Sequence, residues 1–214
     1  MNADTERWQM AQSIEAEHHS HERKVQESER VLARYGISRD DLVGKNVLAL
    51  GAGTGIVHGI DVDCTNVAID PLTFTFRDVL ADSSAELVTG IGEKLPFDND
   101  TLDLIISRNV LDHTIDPRTV FEEIRRLLKP DGTFVLDVNV FLLPRAIRER
   151  LSLIDHPHPH HFSPDEVINY LESSGFDLSY VELERIAPRW REFRIKRITA
   201  TTIFRIRKLY AKAE

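Results

Sequence analysis

Asp112 and His113 stand side by side in the run Asn109-Val110-Leu111-Asp112-His113. An imidazole beside a carboxylate is suited to taking up a proton near neutral pH, because an unperturbed imidazole titrates there. His113 is therefore the first candidate for a general base, with Asp112 as its neighbour; the alternative is a histidine that shapes a pocket without moving a proton. A second concentration of imidazoles lies at His156, His158, His160 and His161, interleaved with Pro157 and Pro159. The prolines hold such a segment extended, so that alternate side chains share one side and two imidazoles can approach one ion. No cysteine and no nearby acid completes a ligand set, so no metal is expected. The segment reads instead as a substrate-facing loop through which His160 or His161 touches a bound molecule. His18, His19 and His21 read as the solvated face of a helix.

A third chemical signal is Val47-Leu48-Ala49-Leu50-Gly51-Ala52-Gly53-Thr54-Gly55, a glycine-rich turn directly behind a short apolar run. Without Cβ atoms a ligand approaches the backbone closely, as nucleoside-containing cofactors do after a first strand. A dinucleotide fingerprint asks for a further glycine at position 56, where this chain has Ile56, which argues against a nicotinamide cofactor. Asp70 follows the next apolar run, where a carboxylate accepts hydrogen bonds from ribose hydroxyls. NAD and S-adenosylmethionine both carry that ribose.

The elements that must hold these residues can be read from periodicity. Asn46 to Leu50, Val67 to Ile69, Ala85 to Val88, Leu102 to Ser107 and Thr133 to Val140 are short apolar runs of buried parallel-strand type. Helix-length segments separate most of them, and that alternation yields a doubly wound α/β fold with a mostly parallel sheet. Between Gly55 and Asp70 there is room for only a turn or two of helix. Pro117 to Lys129 predicts a helix with Asp116 as N-cap, an apolar stripe of Val120, Phe121, Ile124, Leu127 and Leu128, and a stop at Pro130-Asp131-Gly132. Ser163-Pro164-Asp165-Glu166 predicts a capping box opening a helix that ends near Gly175. Phe176 to Leu183 and Ile198 to Arg207 alternate like a terminal antiparallel strand pair. Residues 5 to 34 read as one or two helices ending near Gly36. This gives an N-terminal helical lid or cap over 1–40 and a cofactor-binding domain over 41–214.

Composition sets outer bounds. The chain has 214 residues, 42% hydrophobic and 29% charged, enough apolar surface for one sizeable core and too much for a disordered or low-complexity class. One cysteine, Cys64, excludes an internal disulfide framework. No apolar stretch approaches the ~20 residues a spanning helix needs, and Met1 to Met10 lacks the apolar region of a secretory signal. A cytoplasmic setting is expected. The net charge of −8 is uneven: Arg185 to Glu214 contains ten Lys/Arg against two acids, +8, which leaves −16 on residues 1–184. The basic part either folds back onto the acidic body or attracts an anionic partner such as a membrane surface. The charge of the body argues against nucleic acid.

The ordered series makes a more specific statement than any of its members. Behind the glycine turn and Asp70 come Gly90-Ile91-Gly92-Glu93-Lys94-Leu95-Pro96-Phe97, then TLDLIISRNVLDHTIDP, then FEEIRRLLKPDGTF. In this order the chain resembles the class I S-adenosylmethionine-dependent methyltransferases with a type 11-like domain, including those of ubiquinone and menaquinone biosynthesis. The resemblance implies a Rossmann-like, seven-stranded, mostly parallel sheet with an antiparallel terminal pair, and S-adenosylmethionine as cofactor. It implies that Gly51, Ala52, Gly53 and Gly55 line the methionine and ribose portions, that Asp70 binds the ribose hydroxyls and that Leu72 flanks the adenine. Gly92 and Glu93 fall in the adenine loop, and Ser107 and Arg108 offer backbone near the methionine amino group. The chain departs from the family at Ala49 and Ile91, where acids are common; loss of the cofactor site would leave a non-catalytic binding or scaffold protein. TERWQMAQSIEAEHH, the Ile-Asp-Pro-Leu after the second strand, NVLDH and HPHPHHFSPDE are similar to methyltransferases of polysaccharide and sugar-product biosynthesis. That implies O-methylation of a hydroxyl on a small-molecule or glycan acceptor, with Trp8, Gln12, Asn109, His160 and His161 toward it. Simple packing of the N-terminal helix on the sheet is the alternative to a lid.

Overall fold

The computed structural model describes residues 6, 8–9, 13, 28–51, 60, 62–76, 84–151, 153, 155, 158–185 and 206–214. Seven strands form one sheet: β1 (Asn46–Leu50), β2 (Thr65–Asp70), β3 (Glu86–Thr89), β4 (Leu102–Arg108), β5 (Leu128–Phe141), β6 (Leu178–Arg185) and β7 (Ile206–Ala213). Their order across the sheet is β3-β2-β1-β4-β5-β7-β6. The first five are parallel neighbours, while β7 lies antiparallel between β5 and β6. This is the doubly wound, Rossmann-like α/β fold with an antiparallel terminal pair expected from the sequence.

Because strand side chains alternate, the sheet has two apolar faces, and each is covered. On one face Leu48, Ile69, Ile105, Phe134, Leu136 and Val138 meet Val120, Phe121, Ile124 and Leu127 from α3 (Pro117–Leu127) and Val167 and Leu171 from α5 (Pro164–Ser173). On the other, Val47, Ala49, Ala68, Leu104, Ile106 and Val135 meet Leu32 from α1 (Ser28–Arg34) and Tyr35, Ile37 and Leu42 behind it. The Tyr35 hydroxyl donates to the Leu136 carbonyl at 3.1 Å. This anchors the chain after α1 to the middle of β5, so Leu32, Tyr35, Ile37 and Leu42 belong to the sheet's core. Two short helices complete the set, α2 (Thr73–Phe76) and α4 (Arg145–Leu151).

Both expected helix caps form. The Asp116 carboxylate accepts from the Arg118 N–H at 3.1 Å, with Pro117 in the first turn. Ser163 and Glu166 exchange bonds in a capping box at 2.8 and 3.3 Å.

Several strand ends shift by a residue or two, and two boundaries differ by more. α3 ends at Leu127, not Lys129, and the Pro130-Asp131-Gly132 expected to stop the helix lies within β5. Leu128 already has extended backbone (ψ 135°) and pairs with Leu102 of β4. Strand pairing therefore captures the chain before the helix would end of itself. Gly132 is the residue that permits this, since a Cβ there would stand 2.9 Å from Leu128 Cδ2 and 3.0 Å from the Leu102 carbonyl oxygen. The last strand runs on to Ala213, past the expected end at Arg207, because the alternation that is buried is Leu209, Ala211 and Ala213. Residues 198–205 lie outside the described residues, as do 56–59 and 61 of the shortened segment expected after Gly55. No helix among the described residues is long and apolar enough to cross a membrane.

Candidate functional site

The strand order reverses between β1 and β4, and ligands of open α/β sheets bind outside the carboxyl ends of the strands at that crevice. Gly51 leaves β1 there with φ +82°, its N–H donating to the Ile69 carbonyl at 2.8 Å. A Cβ on Gly51 would lie 2.3 Å from Val110 Cγ2, in the chain that leaves β4. Glycine is thus required twice, by the left-handed backbone and by the close approach of the two strand ends. Ala52, Gly53 and Gly55 fall outside the described residues.

Asp70 ends β2 half-buried, with its Oδ1 accepting the Leu72 N–H at 2.7 Å. That bond fixes the carboxylate at the strand's carboxyl end and sets half-buried Leu72 beside it. The neighbouring strand end is tied in by Gly90, whose N–H donates to the Asp70 carbonyl at 3.3 Å. Ser107, paired with Leu50 across β1 and β4, is fully buried, and its Oγ has no hydrogen-bond partner among the described residues.

Gly92 and Glu93, expected in an adenine loop, both make contacts within the fold. Glu93 accepts the backbone N–H groups of Ile115 and Asp116 at 2.6 and 3.2 Å, so its carboxylate clamps the turn that starts α3. Gly92 packs beneath Val120, where a Cβ would meet both methyl groups at 3.2 Å. Arg108 donates from Nε to Asp137 Oδ2 at 2.5 Å, and Lys208 Nζ lies 2.7 Å from Asp137 Oδ1 and donates to Asn109 Oδ1 at 2.9 Å. Asn109 itself is left-handed (φ 55°), with its N–H on the Asp137 carbonyl. The chain leaving β4 is thus pinned to a buried carboxylate of β5, itself answered by a lysine from the basic C-terminal strand. Asp137 and Lys208 carry no motif; only the register of β5 against β7 brings them together.

Beyond Asn109, a single turn over Leu111–His113 carries Asp112, 3% exposed, and half-buried His113. The histidine segment folds against it. The His160 N–H donates to the Asp112 carbonyl at 3.3 Å, and His160 Nε2 donates to the Thr114 carbonyl at 2.9 Å. A carbonyl only accepts, so the proton of His160 is on Nε2. Burial lowers the affinity of His160 for a second proton, more than its bonds to Thr114 and Ile115 restore it. His161 is buried edge-on to Phe141, with Nε2 on Asp155 Oδ2 at 3.1 Å. Both histidines therefore have partners within the chain that hold this loop. The imidazole that faces Asp112 and His113 is His158: its ring lies 4.6 Å from that of His113, and its Nε2 is 4.0 Å from Asp112 Oδ2. Asp155 Oδ1 holds His158 Nδ1 at 2.8 Å. Burial alone would raise the Asp155 carboxyl, but the bonds from His158 and His161 outweigh it and hold the group well below the usual carboxylate range.

These contacts overturn one expectation. The histidine segment has acids in reach: Asp155 just before it, and Asp112 from the β4 turn, which no spacing along the chain would reveal. Of the N-terminal candidates, Trp8 is helical and half-buried, and Gln12 lies outside the described residues.

Residues 43–136 match the family model of the methyltransferase domain. Among curated proteins, the sarcosine/dimethylglycine N-methyltransferase of Aphanothece halophytica is 36% identical over 103 residues, 43% of this chain and 37% of that protein. The malonyl-[acyl-carrier protein] O-methyltransferase of Marinomonas sp. (strain MWYL1) is 26% identical over 192 residues, 82% of this chain and 69% of that protein. The chain spans less than half the length of several curated relatives it matches. Among solved structures, an S-adenosylmethionine dependent methyltransferase from Mesorhizobium loti superposes with a TM-score of 0.63 at 19% identity, over 87% of this chain and 97% of that one.

Proposed function

We propose that this chain, which carries a methyltransferase domain over residues 43–136, binds S-adenosylmethionine and methylates a hydroxyl of a small-molecule or sugar-containing acceptor. The observation that carries the reading is the arrangement at one sheet edge. A glycine turn with no room for a Cβ, an acid ending β2 and a buried acid–imidazole pair all follow the carboxyl ends of neighbouring strands. When bound, the cofactor supplies a methyl group on a positively charged sulfur.

The chain's own residues fit that group at two points. Gly51 opens the backbone where the cofactor's methionine end approaches, and the partnerless Oγ of Ser107 lies buried on the adjacent strand end. Asp70, held by Leu72, presents its carboxylate to ribose hydroxyls, and Leu72 flanks the base. The sequence assigns Ala52, Gly53 and Gly55 to the same cofactor contact, and the backbone of Ser107 and Arg108 borders Gly51 across β1 and β4. On the acceptor side, Asp112 and His113 take the hydroxyl proton, with His113 as base and Asp112 as its charge partner. Asn109 and the His158–His161 loop wall this side, and most of the rate comes from holding acceptor and cofactor in line. Trp8, helical and half-buried, is assigned to the acceptor side.

The test is methyl transfer from methyl-labelled S-adenosylmethionine to a panel of sugar and phenolic hydroxyl acceptors. Label appears in at least one acceptor with the native chain and drops strongly with Asp70→Ala. Transfer to amines alone would replace O-methylation by N-methylation. No transfer and no cofactor binding would overturn the reading.

A further inference from the structure

We infer that Asp112, His113 and His158 form a binding site for one first-row divalent cation, of the Zn2+ or Mn2+ type, on the acceptor side of the sheet edge. The inference deepens the methyltransferase reading and takes from it only the location of the acceptor.

The ligand atoms of the three residues all lie within 4.8 Å of one another. Three donors bound about 2.0–2.2 Å from a shared cation stand roughly 3–4 Å apart, so small rotations of the imidazoles suffice. Two nitrogens and one carboxylate are a donor set for borderline cations, one that leaves further coordination positions open. Magnesium, which prefers oxygen ligands, suits it poorly.

Two observations separate this cluster from a chance meeting of polar groups. Asp112 is 3% exposed, and its Oδ1, like Nδ1 of His113, is buried with no hydrogen-bond partner among the described residues. A buried carboxylate oxygen and a buried ring nitrogen left so are costly unless something else satisfies them. His158 does not do so as a direct partner, since its Nε2 stays 4.0 Å from Asp112 Oδ2. A cation between them satisfies the set. The second observation is the support behind His158. Asp155 accepts from Nδ1 at 2.8 Å and so leaves Nε2 directed toward Asp112. Carboxylate support of the far ring nitrogen is how metal-binding histidines are oriented. The loop is locked in place by the two His160 bonds to the β4 turn and by the Phe141 N–H on the Phe162 carbonyl at 2.8 Å. A cation here places its open positions toward the acceptor, where an oxygen ligand loses its proton more readily. With a cation bound, His113 is a ligand in place of the base that it is in the metal-free chain, and the acceptor proton leaves to solvent water.

The experiment is calorimetric titration of the chelator-treated full chain with Zn2+, with Mn2+ and with Mg2+, in the absence of S-adenosylmethionine. One equivalent of Zn2+ or Mn2+ binds, and Mg2+ binds at least about tenfold more weakly. Asp112→Asn and His158→Gln each lower the affinity at least about tenfold, and Asp155→Asn lowers it about 10- to 100-fold as an orienting partner. Cys64→Ser, which removes the single thiol, leaves binding unchanged. Thermal scans of each variant without metal establish that it folds, and the native chain alone already decides the matter. Absence of stoichiometric Zn2+ or Mn2+ binding to the native chain, or binding that all three folded variants retain, overturns the inference. A separate titration with S-adenosylhomocysteine keeps the two readings apart. Metal binding without cofactor binding leaves the cation site standing and defeats the methyltransferase reading, whereas cofactor binding without metal binding does the reverse.

Discussion

Arg148 offers a direct test of how the histidine loop is held against the β4 turn. Its guanidinium is 7% exposed and makes four bonds: Nη1 to the His161 carbonyl at 2.5 Å and to Glu166 Oε2 at 2.5 Å, Nη2 to Glu166 Oε1 at 2.8 Å, and Nε to the Leu143 carbonyl at 3.1 Å. Arg148→Met keeps much of the side-chain volume and removes every donor. Breaking a buried ion pair costs about 3–5 kcal/mol, but the Glu166 side chain is 35% exposed and regains water. The pair is therefore worth about 1 kcal/mol at most, and two carbonyls deprived of their donors add about 1 kcal/mol each. The expected loss is about 2–3 kcal/mol, or about 4–12 °C in the melting temperature of a chain of this size. Urea denaturation with Glu166→Gln and the double variant closes a cycle that isolates the pair. The sign of its pH dependence follows from Glu166. Burial pushes this carboxyl up, but the Arg148 and Ser163 bonds outweigh it and hold it below its ordinary range. Its stabilisation is complete above the unfolded carboxyl range near pH 4 and fades as pH falls through the lower folded value. The gap between native chain and variant narrows in acid accordingly. A loss under about 1 kcal/mol at neutral pH, or a gap that widens in acid, would refute the strap.

Three further outcomes follow. Asp70→Ala weakens S-adenosylhomocysteine binding about 10- to 100-fold, the scale of losing hydrogen bonds to a charged group, while the melting temperature stays close to native; calorimetry and a thermal scan check both. Gly51→Ala destabilises by about 2–4 kcal/mol in urea denaturation, because the left-handed φ costs about 1–2 kcal/mol and the new Cβ meets Val110. Tyr35→Phe costs about 1 kcal/mol in the same assay, since it removes only the hydroxyl's bond to the Leu136 carbonyl.

Most of the fold was legible because its strands obey local rules. Asn46 to Leu50 is apolar on both faces since it lies at the middle of a covered sheet, and the observed strand has those bounds. Asp116 and Ser163 announced their helices through cap chemistry alone. What failed locally was decided by pairing: β4 draws Leu128 out of the helix, and β7 is set by which residues of an alternating run face the core. The same division holds at the site. That Gly51 and Asp70 stand at strand ends was legible because a strand followed by glycine, and a strand ending in an acid, are local patterns. That His158 is the imidazole beside His113, while His160 and His161 meet Thr114 and Asp155, was not legible, because it depends on which groups the folded loop meets. The roles of Glu93 and Asp137 were likewise hidden, since each meets groups more than twenty residues away in sequence.

The central claim is that the edge between β1 and β4 holds S-adenosylmethionine. Its most direct test is thermal unfolding of the native chain with S-adenosylmethionine, S-adenosylhomocysteine and NAD in parallel. A ligand at a hundred times its dissociation constant stabilises by about 2.7 kcal/mol, or roughly 5–11 °C here. The account predicts shifts of that order with the first two compounds and none with NAD. No shift with either sulfur compound at saturating concentration, or a shift with NAD alone, would contradict it.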